Sequence, residues 1–304
     1  MSALHVIITG AGGFVGRSLV EGFAALGWRV TGIDLALDDN AGRAVPGVTL
    51  VAADVCNGVL DDLGTADVVL HAAAVTTDPG ELGWTTTAHV AANLQPLLAV
   101  LAYVERTRPH TLVFLSSSGV FSATDGGTRL TDADVPTSRS AYAVAKRTGE
   151  HLVHAAQSVG AAVHVVRLGY LYGPHEAPRA TRRRVSLVAG WLVAARAQQP
   201  LVVRDDDPWR DWTCTTDLAP ALQALIAGPA AGRPVHLASP HVVRDRALAT
   251  LVARHFPHAT IEARPGEGTV KPPMQPSDLP ALRAFPWTSP DAGIARLAAA
   301  EVTA

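Results

Sequence analysis

Tyr142-Ala-Val-Ala-Lys146 places a phenol and an ammonium at i and i+4, on one face of a helix if the segment is helical. A phenol with an ordinary pKa near ~10 is a poor base at neutral pH, and a nearby ammonium favours its ionised form. Such a pair suits proton exchange with a hydroxyl or a ketone, the kind of step worth roughly 10²–10⁴-fold in rate. Upstream, Leu115-Ser116-Ser117-Ser118-Gly119 follows an apolar run, and Ser117 could hydrogen-bond the same oxygen, with Ser118 as the alternative. A tyrosine followed by a lysine at this spacing is also common on plain amphipathic surfaces. The pair therefore draws its meaning from what surrounds it.

At the other end of the chain, Val6-Ile-Ile-Thr9 runs into Gly10-Ala-Gly-Gly13-Phe14-Val15-Gly16, which opens a helical pattern. Glycines at 10, 13 and 16 let the backbone approach a diphosphate with no Cβ in the way. The helix beyond presents N–H groups and a partial positive charge to it. Eighteen residues after Gly16 the next strand pattern ends in Asp34. A carboxylate there accepts both ribose hydroxyls of an adenosine and repels a 2′-phosphate, which argues for NAD over NADP; an ordinary cap is the bland alternative. Asp54-Val55 follows a third strand pattern, where the acid could take an adenine amino group. His71-Ala72-Ala73-Ala74 follows a fourth, where small residues let the chain pass close to a cofactor, and Thr76 just beyond is a candidate for substrate contact.

The elements that position these residues are legible as alternation. Apolar β-branched runs (6–9, 29–33, 49–52, 68–70, 111–115) alternate with helical patterns (14–26, 90–105, 140–157), and 162–167 reads as a further strand. Continuous apolar strands imply a parallel sheet covered on both faces, so the fold expected is α/β: a Rossmann doubly wound sheet with a smaller C-terminal α/β substrate-binding domain. The division expected is 1–168 for the NAD-binding part and 169–304 for the substrate-binding part, the latter interleaved with strands returning to the first sheet. Beyond Gly173 proline becomes frequent and periodicity weakens, which reads as loop-rich.

Composition bounds the rest. The 304 residues carry 48% hydrophobic and 17% charged side chains, enough for a full core. Twenty-five basic against twenty-seven acidic residues leave no global field for nucleic acid. No apolar run reaches a membrane span, no leader is visible, and the two cysteines, Cys56 and Cys214, both in apparently buried context, make no disulfide framework. A cytoplasmic protein without membrane or nucleic-acid partners is expected. The histidines form no metal constellation; His151 and His154 share a helix face without a third ligand nearby.

These motifs together resemble an extended short-chain dehydrogenase/reductase, the NAD-dependent epimerase/dehydratase family. The likeness spans nearly the whole chain: the 9–16 turn, Asp34, Asp54-Val55, His71 to Ala74, Asn93, the serines, Tyr142 and Lys146, Val166-Arg-Leu-Gly-Tyr-Leu-Tyr-Gly-Pro174, and Arg210-Asp211-Trp212 leading to Thr216-Asp-Leu-Ala219. It implies a catalytic Ser117, three residues before Val120; a Lys146 that holds the nicotinamide ribose; an Asn93 near the active site; an Arg210 that reaches a substrate phosphate; and a homodimer paired through 90–105 and 140–157.

Departures from the family pattern narrow the chemistry. Ser118-Gly119 stands where dehydratases carry an Asp-Glu pair and where decarboxylating relatives keep a Glu, so hydride transfer alone, or out and back, remains. Tyr170 replaces the Asn that contacts nucleotide sugars. Arg182-Arg183-Arg184 replaces a later Asn stretch; with Arg184 as the substrate candidate, it could clamp a phosphate or carboxylate or be a solvated loop. The expected substrate is sugar-like and the expected activity that of a sugar epimerase or reductase. Dehydrogenation of a free sugar or sugar acid and non-catalytic NAD binding are the alternatives.

Overall fold

The computed structural model describes residues 3–37 and 45–300. In chain order they form β1 (His5–Thr9), α1 (Phe14–Ala25), β2 (Arg29–Asp34), β3 (Val48–Ala52), β4 (Val68–His71), α2 (Pro79–Leu82), α3 (Thr86–Thr107), β5 (Thr111–Ser117), α4 (Ala141–Leu152), β6 (Ala162–Leu168) and β7 (Tyr170–Tyr172). There follow α5 (Leu187–Arg196), β8 (Leu201–Arg204), β9 (Trp209–Cys214), α6 (Leu218–Ile226), β10 (Val235–Leu237), β11 (Val242–Arg244), α7 (Asp245–Ala253), β12 (Ile261–Arg264), α8 (Pro280–Arg283) and α9 (Pro290–Ala299).

Seven parallel strands make the main sheet in the order β3-β2-β1-β4-β5-β6-β10. Strand order reverses between β1 and β4, which opens a crevice above their carboxyl ends. Alternate side chains of each strand feed opposite layers. Val6 and Ile8 pack with Leu19, Val20 and Phe23 of α1 and Leu222 and Leu225 of α6. Ile7, Val69 and Leu112 pack with Leu97, Val100 and Val104 of α3. Burial on both faces is why these strands read as unbroken apolar runs.

The C-terminal part builds a third core from α5, α7, α9, β8 and β9, with Trp191, Trp212, Leu248 and Ile294 at its centre. Two small sheets belong to it, β11-β9-β7 and β12-β8, while β10 joins the main sheet beside β6. Residues 173–186 and 265–279 lie outside the helices and named strands, in keeping with the proline frequency, but not every proline there marks a loop. Pro280 and Pro290 open α8 and α9 at first-turn positions, where the missing N–H would have had no helical partner. Cys56 is also a correction: it is exposed, and only Cys214 is buried. Among the described helices only α3 is long and apolar enough by length and composition to cross a bilayer; Leu97, Val100, Leu101 and Val104 commit it to the core instead.

One buried charge fixes the helix that carries Tyr142 and Lys146. Glu150, near the end of α4, accepts from Ser116 Oγ of β5 at 2.6 Å and from Arg167 of β6 through Nε at 2.8 Å and Nη2 at 2.7 Å. Glu150 and Arg167 are each 5% exposed, so neither keeps a hydration shell to fall back on. Removing one partner strands the other charge. Arg167→Met is therefore expected to lower unfolding stability by about 3–5 kcal/mol, as read by urea denaturation; a loss below about 1 kcal/mol, the scale of a surface ion pair, would contradict this account of the helix.

Candidate active site

The glycine turn is forced by proximity. Gly10 has φ +75°, and a Cβ there would lie 2.6 Å from the backbone of Ala73; a Cβ on Gly16 would lie 1.9 Å from the Gly10 carbonyl oxygen. Larger residues would push the turn apart. Gly13 caps α1 without any side-chain acceptor, so the helix N-terminus faces the crevice uncovered by its own cap. Asp34, at the end of β2, is held beside this turn by N–H groups of Gly12 and Ala36, each at 3.0 Å.

Across the crevice, Ser117 ends β5 and Tyr142 lies in the first turn of α4, whose Ser140 cap accepts from the Ala143 N–H at 3.2 Å. Gly119 lies between them. A Cβ there would stand 3.1 Å from the Tyr142 ring and 3.2 Å from Ser117 Oγ, so any larger residue would press phenol and hydroxyl back by a few tenths of an ångström. Lys146 is buried, donates from Nζ to the Leu115 carbonyl at 2.7 Å, and sits 5.9 Å from the centre of the Tyr142 ring.

Burial dominates the ionisation of both groups. It raises the Tyr142 phenol above its ordinary value, against the downward pull of Ser117 and the positive charge of Arg182. A phenol lowered by Lys146 is thus not what the structure holds. Lys146 is itself brought down to about 8, because its desolvation outweighs the attraction of Glu150.

These residues share one cavity of about 500 Å³, running from Gly10, Gly13, Phe14, Val15 and Gly16 past Ser117, Tyr142 and Lys146 to Tyr170, Arg210 and Lys271. Its far end is cationic. Arg210 is fixed by Asp245 through Nε at 2.8 Å and Nη2 at 3.1 Å, and the Arg210 guanidinium and the Lys271 ammonium each lie 4.7 Å from the Tyr170 ring centre. Behind them Asp211 is fully buried and accepts from the N–H groups of Met274 and Tyr170. Burial raises its carboxyl to about 6.

Residues 6–238 match the family model described as the NAD dependent epimerase/dehydratase family. The chain belongs to that family. It is an NAD-dependent enzyme, and solved members show its fold. An epimerase from Methanothermobacter thermautotrophicus is 21% identical with TM-score 0.82, over 98% of this chain and 91% of that one. The UDP-N-acetylglucosamine 4-epimerase of Methanobrevibacter ruminantium M1 is 17% identical with TM-score 0.80, over 98% and 99%. The UDP-glucuronic acid 4-epimerase of Bacillus cereus, a point mutant in complex with NAD and a fluorinated UDP-glucuronic acid, is 18% identical with TM-score 0.79, over 96% of both. No curated protein sequence matches significantly.

In this epimerase/dehydratase family member the cavity gathers most of the residues singled out by sequence: the five of the glycine turn, Ala72, Thr76, Ser117, Ser118, Tyr142, Lys146, Tyr170 and Arg210. Others stand outside its lining. Asp34 and Ala73 are next to the turn, as above. Asp54 accepts from the Cys56 N–H at 2.8 Å, and Val55 is buried in the core. Asn93 holds the loop after β4, accepting from the Val75 N–H at 3.0 Å and donating to the carbonyls of Val75 and His89.

Arg184 is largely exposed and pairs with Glu81 at 3.2 Å beside a second cavity of about 600 Å³, which it lines with Arg183. Of the arginine run it is Arg182, with Arg179 and Thr181, that reaches the main cavity. Trp212 also lines it, with a buried indole N–H that has no hydrogen-bond partner among the described residues. Rarity is the sequence signal for Lys271: the chain has two lysines, and both face this cavity. That rarity also makes Lys146 observable. In protein labelled with ¹³C at lysine Cε, one of two side-chain signals is expected to titrate near about 8; both midpoints at or above ~10, the ordinary lysine range, would contradict the burial described.

Proposed function

We propose that this protein is an NAD-dependent epimerase or reductase acting at a secondary alcohol or ketone of a sugar-like substrate, and that the favoured substrate is a nucleotide sugar. The observation that carries the reading is the convergence of Ser117, Tyr142 and Lys146 on the cavity that the glycine turn opens. The residues fit the cofactor: a turn whose Gly10 and Gly16 leave no room for a Cβ, a helix N-terminus behind it, and a carboxylate in Asp34 at the ribose end. Bound NAD supplies an acceptor, and then a donor, for the hydride of the substrate's carbinol carbon.

Gly10, Gly13, Phe14, Val15 and Gly16 would hold the diphosphate by backbone contact, and Asp34 the adenosine ribose, with charge repulsion against a 2′-phosphate. Asp54 and Val55 would border the adenine, while Ala72, Ala73 and Asn93 shape the path past the nicotinamide. Tyr142 moves the hydroxyl proton, and Ser117, with Ser118 beside it, hydrogen-bonds the reacting oxygen. Lys146, protonated below about 8, stabilises the phenolate that takes the hydroxyl proton and that forms again when the proton is returned to the ketone, and holds the nicotinamide ribose. Its charge is present at neutral pH and is lost as pH rises through that value.

At the opposite end Arg210 and Lys271 flank Tyr170 with two positive charges, an arrangement suited to a diphosphate; Thr76 and Tyr170 would line the sugar, and Arg184 the neighbouring cavity. Solved relatives of this fold are described with sugar nucleotides bound, which supports the same substrate class. The same pair of cations suits a carboxylate, and with Tyr170 at the family's Asn position this favours a sugar-acid dehydrogenase as the second reading. Residues 1–168 would serve chiefly the cofactor and 169–304 chiefly the substrate. A reducing, cytoplasmic setting suits the two free thiols.

Tyr142→Phe is expected to keep NAD affinity and lose at least about 10²-fold in turnover, the lower range for a positioned proton donor; turnover within a few-fold of wild type would overturn the mechanism. For assembly we infer a homodimer through α3 and α4, whose outer faces expose Leu98 (51%) and Val144 (36%). Sedimentation at micromolar concentration is expected to give a dimer for the wild type and a monomer for Leu98→Glu/Val144→Glu. A monomeric wild type contradicts it.

A further inference from the structure

Between β7 and α5 the chain forms a strap, residues 173–186, laid across the glycine turn. His175 Nε2 lies 2.9 Å from Glu21 of α1. Arg179 donates to the Ala36 carbonyl at 3.0 Å, just past Asp34. The Thr181 carbonyl accepts from the N–H groups of Thr76 at 2.8 Å and Thr77 at 3.1 Å, beyond β4. Arg179 and Arg182 exchange two backbone hydrogen bonds of 2.9 Å, so Ala180 and Thr181 are the tip of a tight hairpin. The strap is thus tied to both walls of the crevice, by contacts between residues far apart along the chain.

Its inner side carries Arg179, Thr181 and Arg182 into the cavity opposite Gly10, Gly13 and Gly16. The Arg182 guanidinium lies 4.7 Å above the ring of Phe14, the first residue of α1. Glu176, its side chain 1% exposed, binds Nη2 of Arg182 and also accepts from Ser186 N–H and Oγ, which locks the guanidinium from behind. Nη1 is buried and has no hydrogen-bond partner among the described residues. A buried donor without an acceptor is costly, and this one sits where a helix N-terminus already favours an anion.

Resting on the reading of NAD as the cofactor, we propose that Arg182 is a ligand of the NAD diphosphate, which the strap 173–186 holds between this guanidinium and the N-terminus of α1. A cofactor clasped from above as well as below leaves slowly. That suits chemistry in which the hydride returns to the substrate better than chemistry in which NADH departs at every turnover.

Calorimetric titration of Arg182→Met with three probes tests the assignment: NAD, adenosine, which has no phosphate, and UDP, the diphosphate of a sugar-nucleotide substrate. Expected is a roughly 10- to 100-fold loss for NAD, the range of one charge-assisted hydrogen bond, with adenosine and UDP unchanged and Arg182→Lys recovering part of the loss. Unaltered NAD affinity, or a loss for UDP in place of NAD, overturns it. If Arg182→Met does not fold, His175→Ala reads the clasp alone, since it cuts the anchor to Glu21 outside the cavity: NAD is expected to dissociate several-fold faster, and an unchanged rate overturns the proposal. A wild type that binds no NAD at all would instead remove the cofactor reading itself.

Discussion

The bond of Glu150 to Arg167 and Ser116 is the constraint on which the geometry of this protein rests. It joins α4 to β5 and β6 below the surface, where a misplaced charge has no water to accept it. One turn earlier on the same helix, Lys146 reaches the Leu115 carbonyl of β5, and one turn earlier again stands Tyr142. The regular spacing of these residues along one helix face thus becomes a ladder: an anion that fixes the helix, a cation that Glu150 favours, and a phenol that the cation serves. Shifting α4 by a fraction of a turn would cost the buried pair before it moved the phenol.

Electrostatics divide the cavity into two ends that want the same kind of ligand. At one, the N-terminus of α1 and the guanidinium of Arg182 face each other across the glycine turn. At the other, Arg210 and Lys271 bracket Tyr170, with Arg210 immobilised by Asp245. Two cationic ends separated by Ser117, Tyr142 and Lys146 match the requirements of a cofactor and a substrate that each carry an anionic group and meet at Tyr142. Buried acids hold Arg182 and Arg210, so these cations are placed before any ligand arrives and lose little freedom on binding.

What can be read from sequence is local. The 10–16 turn, Asp34 at the end of the next strand, and the Tyr142/Lys146 pair depend on spacing within one element or between neighbours, and the parallel sheet follows from apolar strands alternating with helical patterns. What escapes is set by contacts far apart in the chain. Nothing local separates Arg182 from Arg184; the difference is that Glu176 and Phe14 draw one inward, while Glu81 holds the other at the surface. Nor does spacing show that Val55, beside Asp54, packs into the core layer under α3. Beyond Gly173, Pro280 and Pro290 start helices, and no local signal separates them from the prolines of the loops. Sequence misjudges the phenol's ionisation because spacing reveals the nearby ammonium and conceals the burial that outweighs it.

We propose that hydride leaves a sugar carbon and returns to it within this cavity. The most direct test follows the near-ultraviolet absorbance of NADH while the NAD-loaded protein meets a panel of nucleotide sugars, free sugars and sugar acids, with product analysis at each step. No net NADH and a product inverted at one carbinol carbon are expected. Accumulation of NADH, mole for mole with a released ketone or lactone, would contradict the proposal.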